Sequence, residues 1–174
     1  MNAVPQSAWV FRPLHASDMT MFHDWLTRPH VEEWWGAADP MAEVAEFYAA
    51  SITETVPHWC FIAELNGEPT GFIQWYTPAA FHEDGWWLNE HDFNVRGIDQ
   101  FLANAHQLGH GLGTSMVRAF VAMLFADATV TRVQTDPSPD NARAIRCYEK
   151  SGFHAHAEIE TPDGRALLMY CERP

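Results

Sequence analysis

A glycine-rich segment at residues 108–114 is the clearest place along this chain for ligand chemistry. Gly109, Gly111 and Gly113 alternate with larger residues, and an apolar helical pattern follows them. Glycine lets backbone N–H groups approach a ligand closely, and a helix that begins there adds unpaired amides and the positive end of its dipole. The segment therefore predicts a seat for a phosphate or pyrophosphate, although a tight turn that only starts a helix would give the same pattern.

Aromatic side chains occur in neighbouring pairs. The chain has 8 tryptophans, and the pairs are Trp34-Trp35, Trp75-Tyr76 and Trp86-Trp87. Neighbours on a strand point to opposite faces, so the two members of such a pair cannot both enter one core. The pairs indicate either surface lids or the walls of a pocket for a ring-shaped substrate.

Two histidines, His154 and His156, share one face of a predicted strand and could ligate a metal. A zinc site needs at least three protein ligands, and no third ligand is evident nearby. Structural or surface histidines are the favoured interpretation, and the sequence predicts no metal.

The elements that must position these residues follow from the apolar periodicity. It predicts helices at residues 19–26, from Pro40 onward, at 112–126 and at 141–150, with Ser17 or Asp18 capping the first and Asn141 the last. A long loop or irregular strand is expected at 78–97. The predicted strands are 9–14, 58–65, 70–76, 97–103, 130–136, 154–161 and 166–171. This order predicts an α/β fold with a partly antiparallel sheet, and the length predicts one domain over residues 1–174.

Charge limits the class of partner. The net charge is -13, with Asp+Glu 23 against Lys+Arg 10, which argues against nucleic acids and anionic membranes because both require basic surfaces. It permits a cationic partner, and it also has the simpler meaning of solubility.

The remaining composition predicts a cytoplasmic protein. Its 3 cysteines have no metal-type spacing, which favours reduced thiols. Residues 1–6 have neither a basic start nor an apolar run, so no signal peptide is expected. The longest apolar pattern, at 115–126, is too short to span a bilayer.

The glycine segment and the block at residues 140–153 together resemble the two halves of the acetyl-CoA site in the GCN5-related N-acetyltransferase superfamily. The loop pattern of that superfamily is Arg or Gln, two residues, Gly, one residue, then Gly or Ala. Gly111 and Gly113 match it, while Leu108 stands in place of the Arg or Gln. The resemblance implies a mixed central sheet flanked by helices, with acetyl-CoA as co-substrate and its pyrophosphate on the amides of residues 110–114. The residues it implies for acetyl-CoA binding are Leu102, His110, Gly111, Leu112, Gly113, Thr114, Asn141 and Tyr148.

Longer strings resemble the aminoglycoside 6'-N-acetyltransferases within that superfamily. The strings are Glu33-Trp34-Trp35-Gly36, Leu65-Asn66-Gly67-Glu68-Pro69, Asp84-Gly85-Trp86-Trp87, Arg96-Gly97-Ile98-Asp99-Gln100, Gln134-Thr135-Asp136-Pro137-Ser138-Pro139 and Thr161-Pro162-Asp163-Gly164. The chain departs from the family at residues 81–83 and 88–93. The resemblance implies a cationic aminoglycoside or a similar polyamine as substrate, held by Trp35, Gln74, Asp84, Trp86, Trp87, Asp99, Asp136 and Asp163.

Acetyl transfer to an amine needs a proton acceptor for the amine, a donor for the oxyanion and an acid for the departing thiolate. By resemblance, Asp99 binds or deprotonates the amine and Tyr148 protonates the thiolate. The residues alone leave other readings open: Asp99 as a strand aspartate with a local partner, Tyr148 as a packing residue, and the other aspartates as turn formers.

Two further functions stay open on the sequence. One is acetylation of another amine or a hydroxylamine, as in siderophore assembly, and the other is a non-catalytic protein that binds acyl-CoA or a cation. The sequence does not choose between a monomer and a homodimer.

Overall fold

The computed structural model describes residues 9–174, so the expectation of no signal peptide at residues 1–6 lies outside the described residues. A seven-stranded sheet runs through the described part in the order β1-β2-β3-β4-β5-β7-β6. Neighbouring strands are antiparallel except for β4 and β5, which are parallel. The strands are β1 (Trp9–Pro13), β2 (His58–Leu65), β3 (Glu68–Tyr76), β4 (Val95–Leu102), β5 (Arg132–Thr135), β6 (His154–Thr161) and β7 (Gly164–Glu172). The predicted mixed sheet flanked by helices is confirmed.

Helices cover both faces of the sheet because successive strand residues alternate between the faces. Phe72 of β3 packs against the first three helices, and its neighbour Ile73 packs against the fourth. The helices are α1 (Met19–Leu26), α2 (Pro29–Trp35), α3 (Met41–Ile52), α4 (Leu112–Phe125) and α5 (Ala142–Lys150). Among the described helices, none is both long and apolar enough to cross a membrane.

Strands β4 and β5 separate soon after they meet. They pair only at residues 95–97 and 132–134, whereas β4 stays paired with β3 as far as Leu102. Beyond Gly97 one direct link remains between these strands, from Thr135 Oγ1 to the carbonyl oxygen of Ile98 at 3.0 Å. The residues of β4 from 98 onward therefore border a gap in the sheet.

Three local expectations differ from the structure. Residues 29–35 form α2, which the sequence did not predict; Pro29 suits the first helical position because it has no N–H to leave unpaired. Asp18 precedes α1, but its carboxylate binds Arg12 and the His15 amide instead of capping the helix. At residues 78–94 the expected alternatives are a long loop or an irregular strand; the segment is a loop with two short 3-10 turns, so the loop is confirmed and the strand is wrong.

Gly97 lies under the ring of its register partner Tyr76, and a Cβ built at Gly97 would lie 2.1 Å from Tyr76 Cε2. We expect Gly97→Ala to displace that ring and to lower the free energy of unfolding by about 1–3 kcal/mol, as overpacking does. Gly113→Ala is the matched control, because its Cβ would make an ordinary 3.4 Å contact with Cys147 Sγ in a helical turn that favours alanine. Urea unfolding of both variants measures the difference, and equal unfolding free energies would contradict the tight Gly97–Tyr76 contact.

Candidate functional site

A cavity of about 490 Å³ opens where β4 and β5 separate. The sheet contributes its floor, α2 and α3 contribute one wall, and α5 and the turns at 81–87 and 161–165 contribute the rest. Its aromatic lining is Trp34, Trp35, Phe47, Tyr48, Tyr76, Phe81, Trp86, Trp87 and Tyr148. Four of the paired tryptophans named from the sequence therefore lie around one space, whereas Trp75 faces the other side of the sheet and stacks on Trp59 at 3.9 Å.

Three aspartates line the same cavity: Asp99 on β4, Asp136 just after β5, and Asp163 in the turn between β6 and β7. Burial raises the pKa of Asp99, and the nearby charge of Asp163 raises it further. Burial also raises the pKa of Asp136, followed by the charge of Asp99. The cavity therefore holds more acid groups than it can readily ionise, which suits a cationic ligand.

Asp84 does not join this group. It lies in the exposed 3-10 turn His82–Asp84 and is not part of the cavity wall. The sequence string placed it correctly in a turn next to Trp86, but the turn directs the two tryptophans and not the carboxylate toward the cavity.

An aromatic column fixes the position of Asp136. The ring of Trp87 stacks on Tyr76 at 4.7 Å, and its indole Nε1 donates a hydrogen bond to Asp136 Oδ2 at 2.9 Å. Trp87 has a φ of 43°, an unfavourable backbone angle for a residue with a Cβ. The indole's two contacts explain why that conformation persists.

Gln74 lines the cavity, but its amide is already engaged. Its Nε2 donates to Asp99 Oδ2 at 2.9 Å. The two residues are register partners on β3 and β4, so the strands themselves set this distance. The hydrogen bond favours the ionised carboxylate and partly opposes the rise in the pKa of Asp99.

Tyr148 enters the cavity from α5, on the face of the sheet opposite Asp99. Its ring is buried against Phe153, and burial raises the pKa of its phenol above the usual value, with the charge of Asp99 adding to the effect. A phenol in that state is neutral near pH 7 and can donate a proton. The gap between β4 and β5 lets these two groups face one space from opposite sides of the sheet.

A second groove, of about 370 Å³, follows the glycine segment. Within the described chain, the amides of residues 109–114 donate no hydrogen bond to another protein group. Of the residues predicted to bind acetyl-CoA, Leu102, Gly111, Gly113, Thr114 and Asn141 line this groove. The others do not: His110 and Leu112 are absent from its wall, with Leu112 packed against the core, and Tyr148 lines the first cavity.

The sequence interpretation missed a basic face on α5. Arg143, Arg146 and Lys150 line the second groove in a chain with only 10 basic residues. Their spacing of three and then four residues places them on one face of a helix, and this spacing was a usable signal. The groove thus combines free amides with positive charge, as an anionic ligand requires.

The two spaces are continuous. Both are lined by Trp34, Trp35, Gln100, Asn141 and Ala144. An anionic ligand on the glycine segment could therefore reach the acidic cavity with its far end.

His154 and His156 lie apart from this site on the exposed edge strand β6. His156 stacks on Tyr170 at 4.3 Å. No group of three or more potential metal ligands occurs among residues 9–174, and the expectation of no metal remains a prediction.

Known proteins share this architecture. A family model for the acetyltransferase (GNAT) domain matches residues 15–161. The aminoglycoside N(6')-acetyltransferase type 1 of Klebsiella pneumoniae is 53% identical over 155 residues, covering 87% of this chain and 77% of the relative. The kanamycin resistance protein of Rhizobium radiobacter is 63% identical over 84 residues, covering 48% of this chain and 78% of that protein. The solved structure of AAC(6')-Ib with paromomycin and acetyl-CoA is 50% identical, with a TM-score of 0.90 over 95% of this chain and 94% of that chain.

The raised pKa of Asp136 leads to a prediction about the stability of the fold. Because its pKa is raised on folding, the folded state holds the proton more tightly, so stability present at low pH is lost as pH rises from about 4 toward the folded pKa. Asp136→Asn keeps an oxygen for the Trp87 indole and cannot ionise. We expect its melting temperature to exceed that of the wild type at pH 8, by about 2–4 °C for each kcal/mol regained, and the difference to shrink toward pH 4.

Differential scanning calorimetry from pH 4 to pH 8 measures this difference. Asp39→Asn is the control, since Asp39 is exposed and contributes only its backbone carbonyl, to His23. A melting-temperature difference for Asp136→Asn that does not change with pH would contradict the burial argument.

Proposed function

Because this chain belongs to the GNAT acetyltransferase family, we propose that it transfers the acetyl group of acetyl-CoA to the 6'-amine of an aminoglycoside by direct attack in a ternary complex. The observation that carries the proposal is the junction of two unlike spaces at the gap between β4 and β5. One is a groove with free amides and cations, and the other is an acidic cavity with aromatic walls.

The groove fits acetyl-CoA as co-substrate. The unpaired amides of residues 109–114 suit a pyrophosphate, and Arg143, Arg146 and Lys150 supply further positive charge for phosphates. Leu102, Gly113 and Asn141 line the path toward the gap. His110 and Leu112 take part through their backbone amides only.

The cavity fits a cationic aminosugar. Asp99, Asp136 and Asp163 offer carboxylates to ammonium groups, and burial strengthens the attraction at Asp99 and Asp136. Trp35, Trp86 and Trp87 provide apolar surface for the sugar rings, and Gln74 adds a polar group at the base. Asp84 lies outside the cavity wall, in an exposed turn, and its place is at the rim.

The reacting groups have assignable tasks. Asp99 receives the proton of the attacking ammonium group, and its raised pKa makes it a better base near neutral pH than an exposed aspartate. The backbone N–H groups along β4 point alternately toward β3 and away from it. That of Gln100 points away from β3 into the gap, where it can stabilise the oxyanion. Tyr148, a neutral phenol, protonates the departing thiolate.

The alternatives predict different behaviour. An enzyme for another amine or a hydroxylamine would turn over faster with a small monoamine than with an aminoglycoside. A non-catalytic acyl-CoA or cation binder would bind without releasing thiol. The acidic cavity favours a polycationic substrate over both.

The proposal extends to the location and the partners of the protein. Cys60, Cys147 and Cys171 are free thiols, which supports a cytoplasmic location. The charge of -13 supports the absence of nucleic-acid and membrane partners. Both a monomer and a homodimer are compatible with a site built from one chain.

The central test is thiol release from acetyl-CoA with kanamycin, with a small monoamine and with no acceptor. We expect turnover with kanamycin, and we expect Asp99→Asn to lower kcat by about tenfold to a thousandfold, because the variant keeps the shape but loses the proton acceptor and charge. Asp39→Asn is the matched control and should retain full turnover. Wild-type kcat in Asp99→Asn at neutral pH would refute the assigned role of Asp99.

Salt dependence tests the acidic cavity separately. The Debye length falls from about 10 Å at 0.1 M salt to about 3 Å at 1 M, so kcat/KM for kanamycin should fall as salt rises. Asp163 is exposed at the mouth, and Asp163→Asn should raise the kanamycin KM and flatten this dependence. Asp39→Asn makes the same change in net charge away from the cavity and should keep the wild-type slope; equal slopes in all three proteins would exclude recognition by the cavity's charge.

A further inference from the structure

A chain of polar side chains leads from Asp99 away from the reacting groups. Gln74 Nε2 donates to Asp99 Oδ2 at 2.9 Å, Gln74 Oε1 lies 2.8 Å from His58 Nε2, and His58 Nδ1 lies 2.9 Å from Ser51 Oγ. These residues come from β3, β4, β2 and the end of α3. The proposed reaction uses Asp99 and gives His58 and Ser51 no task.

The fold fixes the positions of these hydrogen-bonded side chains. Cys60, Gln74 and Asp99 are register partners across three adjacent strands, so their side chains share one face. Ser51 and Gln74 are buried, with exposed fractions of 6% and 9%. Buried polar groups rarely lack partners, and here each member partners the next.

The chemistry of each group fixes the direction of the hydrogen bonds. An ionised Asp99 only accepts, so Gln74 must present its NH₂ group to it and its carbonyl oxygen to His58. That oxygen only accepts, so His58 Nε2 carries the proton, and the bare Nδ1 accepts from the Ser51 hydroxyl. Burial lowers the pKa of His58, which keeps the imidazole neutral.

We propose that His58, supported by Ser51, is a positioning residue that locks the amide of Gln74 with its N–H toward Asp99 and so favours the ionised, proton-accepting form of that carboxylate. The proposal rests on the proposed function in taking Asp99 as the proton acceptor. An amide does not readily pass protons along, so the chain acts by orientation and not as a proton wire. Without His58, the Gln74 carbonyl oxygen keeps only the Cys60 thiol, a weak donor at 3.8 Å, and the amide turns more easily to bring that oxygen toward Asp99.

Other titratable groups lie near Asp99, and its charge raises the pKa of most of them. They are Asp163 between β6 and β7, Asp136 after β5, Tyr148 of α5, Tyr76 of β3, Cys60 of β2 and Tyr48 of α3. All of them are acids, and the carboxylates among them oppose the ionisation of Asp99 by their charge. Gln74 is the group that favours its charged form, which is why the orientation of this one amide matters.

The test compares His58→Phe, which keeps a ring but has no nitrogen, with His58→Gln, which keeps an N–H donor. We expect His58→Phe to move the acid limb of the kcat profile for kanamycin acetylation to higher pH. Its kcat should fall about threefold to thirtyfold at pH 6 and recover to near the wild-type value at pH 8.5. His58→Gln should restore most of the loss, and Ser51→Ala should shift the profile less in the same direction.

His23→Phe is the matched control, because His23 is a partly buried histidine that binds the Asp39 backbone carbonyl. It should leave the profile unchanged. Equal loss of kcat at every pH in His58→Phe would indicate a merely structural role and overturn the proposal. A raised kanamycin KM with no pH shift would indicate direct substrate contact, since His58 also borders the cavity, and would overturn it too.

A titration without substrate separates this proposal from the proposed function. The ¹³C carboxyl resonance of Asp99, assigned by its loss in Asp99→Asn, should titrate at higher pH in His58→Phe than in the wild type. An unchanged midpoint overturns the proposal even if the enzyme acetylates kanamycin. If the midpoint is higher in His58→Phe but the wild type acetylates no amine, the proposed function alone is refuted.

Discussion

The early separation of β4 from β5 is the constraint on which the rest of the site depends. A sheet normally keeps the side chains of its two faces apart, yet here Asp99 from one face and Tyr148 from the other border the same cavity. The three-residue pairing of the two strands makes this possible, because it ends at Gly97, two residues before Asp99. The same gap joins the groove along the glycine segment to the acidic cavity, so donor and acceptor can approach from different sides.

Charge is sorted within this molecule and not spread evenly over it. Three aspartates line the cavity, where burial makes the ionisation of Asp99 and Asp136 costly, and a basic face of α5 borders the groove. Such an arrangement sacrifices stability of the free protein for attraction of a cation, a common trade at functional sites. The negative total charge of the chain hides this division, which becomes visible only when the residues are placed in three dimensions.

Local signals predicted most of the framework. The strands at 58–65 and 70–76, the helix at 112–126 and the cap at Asn141 were each predicted from residues close in sequence, and these elements are present. Contacts set by strand register were beyond such reasoning: nothing near His58 indicates that it meets Gln74, because that meeting depends on how β2 and β3 align. Asp84 lies outside the cavity wall for a related reason, since a turn residue's direction is decided by the packing of its neighbours. The short α2 was missed because its seven residues bury a single apolar side chain, Val31, and so show little helical periodicity.

The floor of the cavity is built from strands of the sheet, whereas its tryptophan walls come from a helix and a turn outside the sheet. The ring of Tyr76 presses on Gly97, so the floor leaves no room for a larger residue. Trp34 and Trp35 sit on a short helix, and Trp86 and Trp87 sit in a turn, outside the strands altogether. Under antibiotic selection, inherited changes in substrate range would therefore arise in these walls, while the floor and the groove beneath it pass from one descendant to the next nearly unaltered.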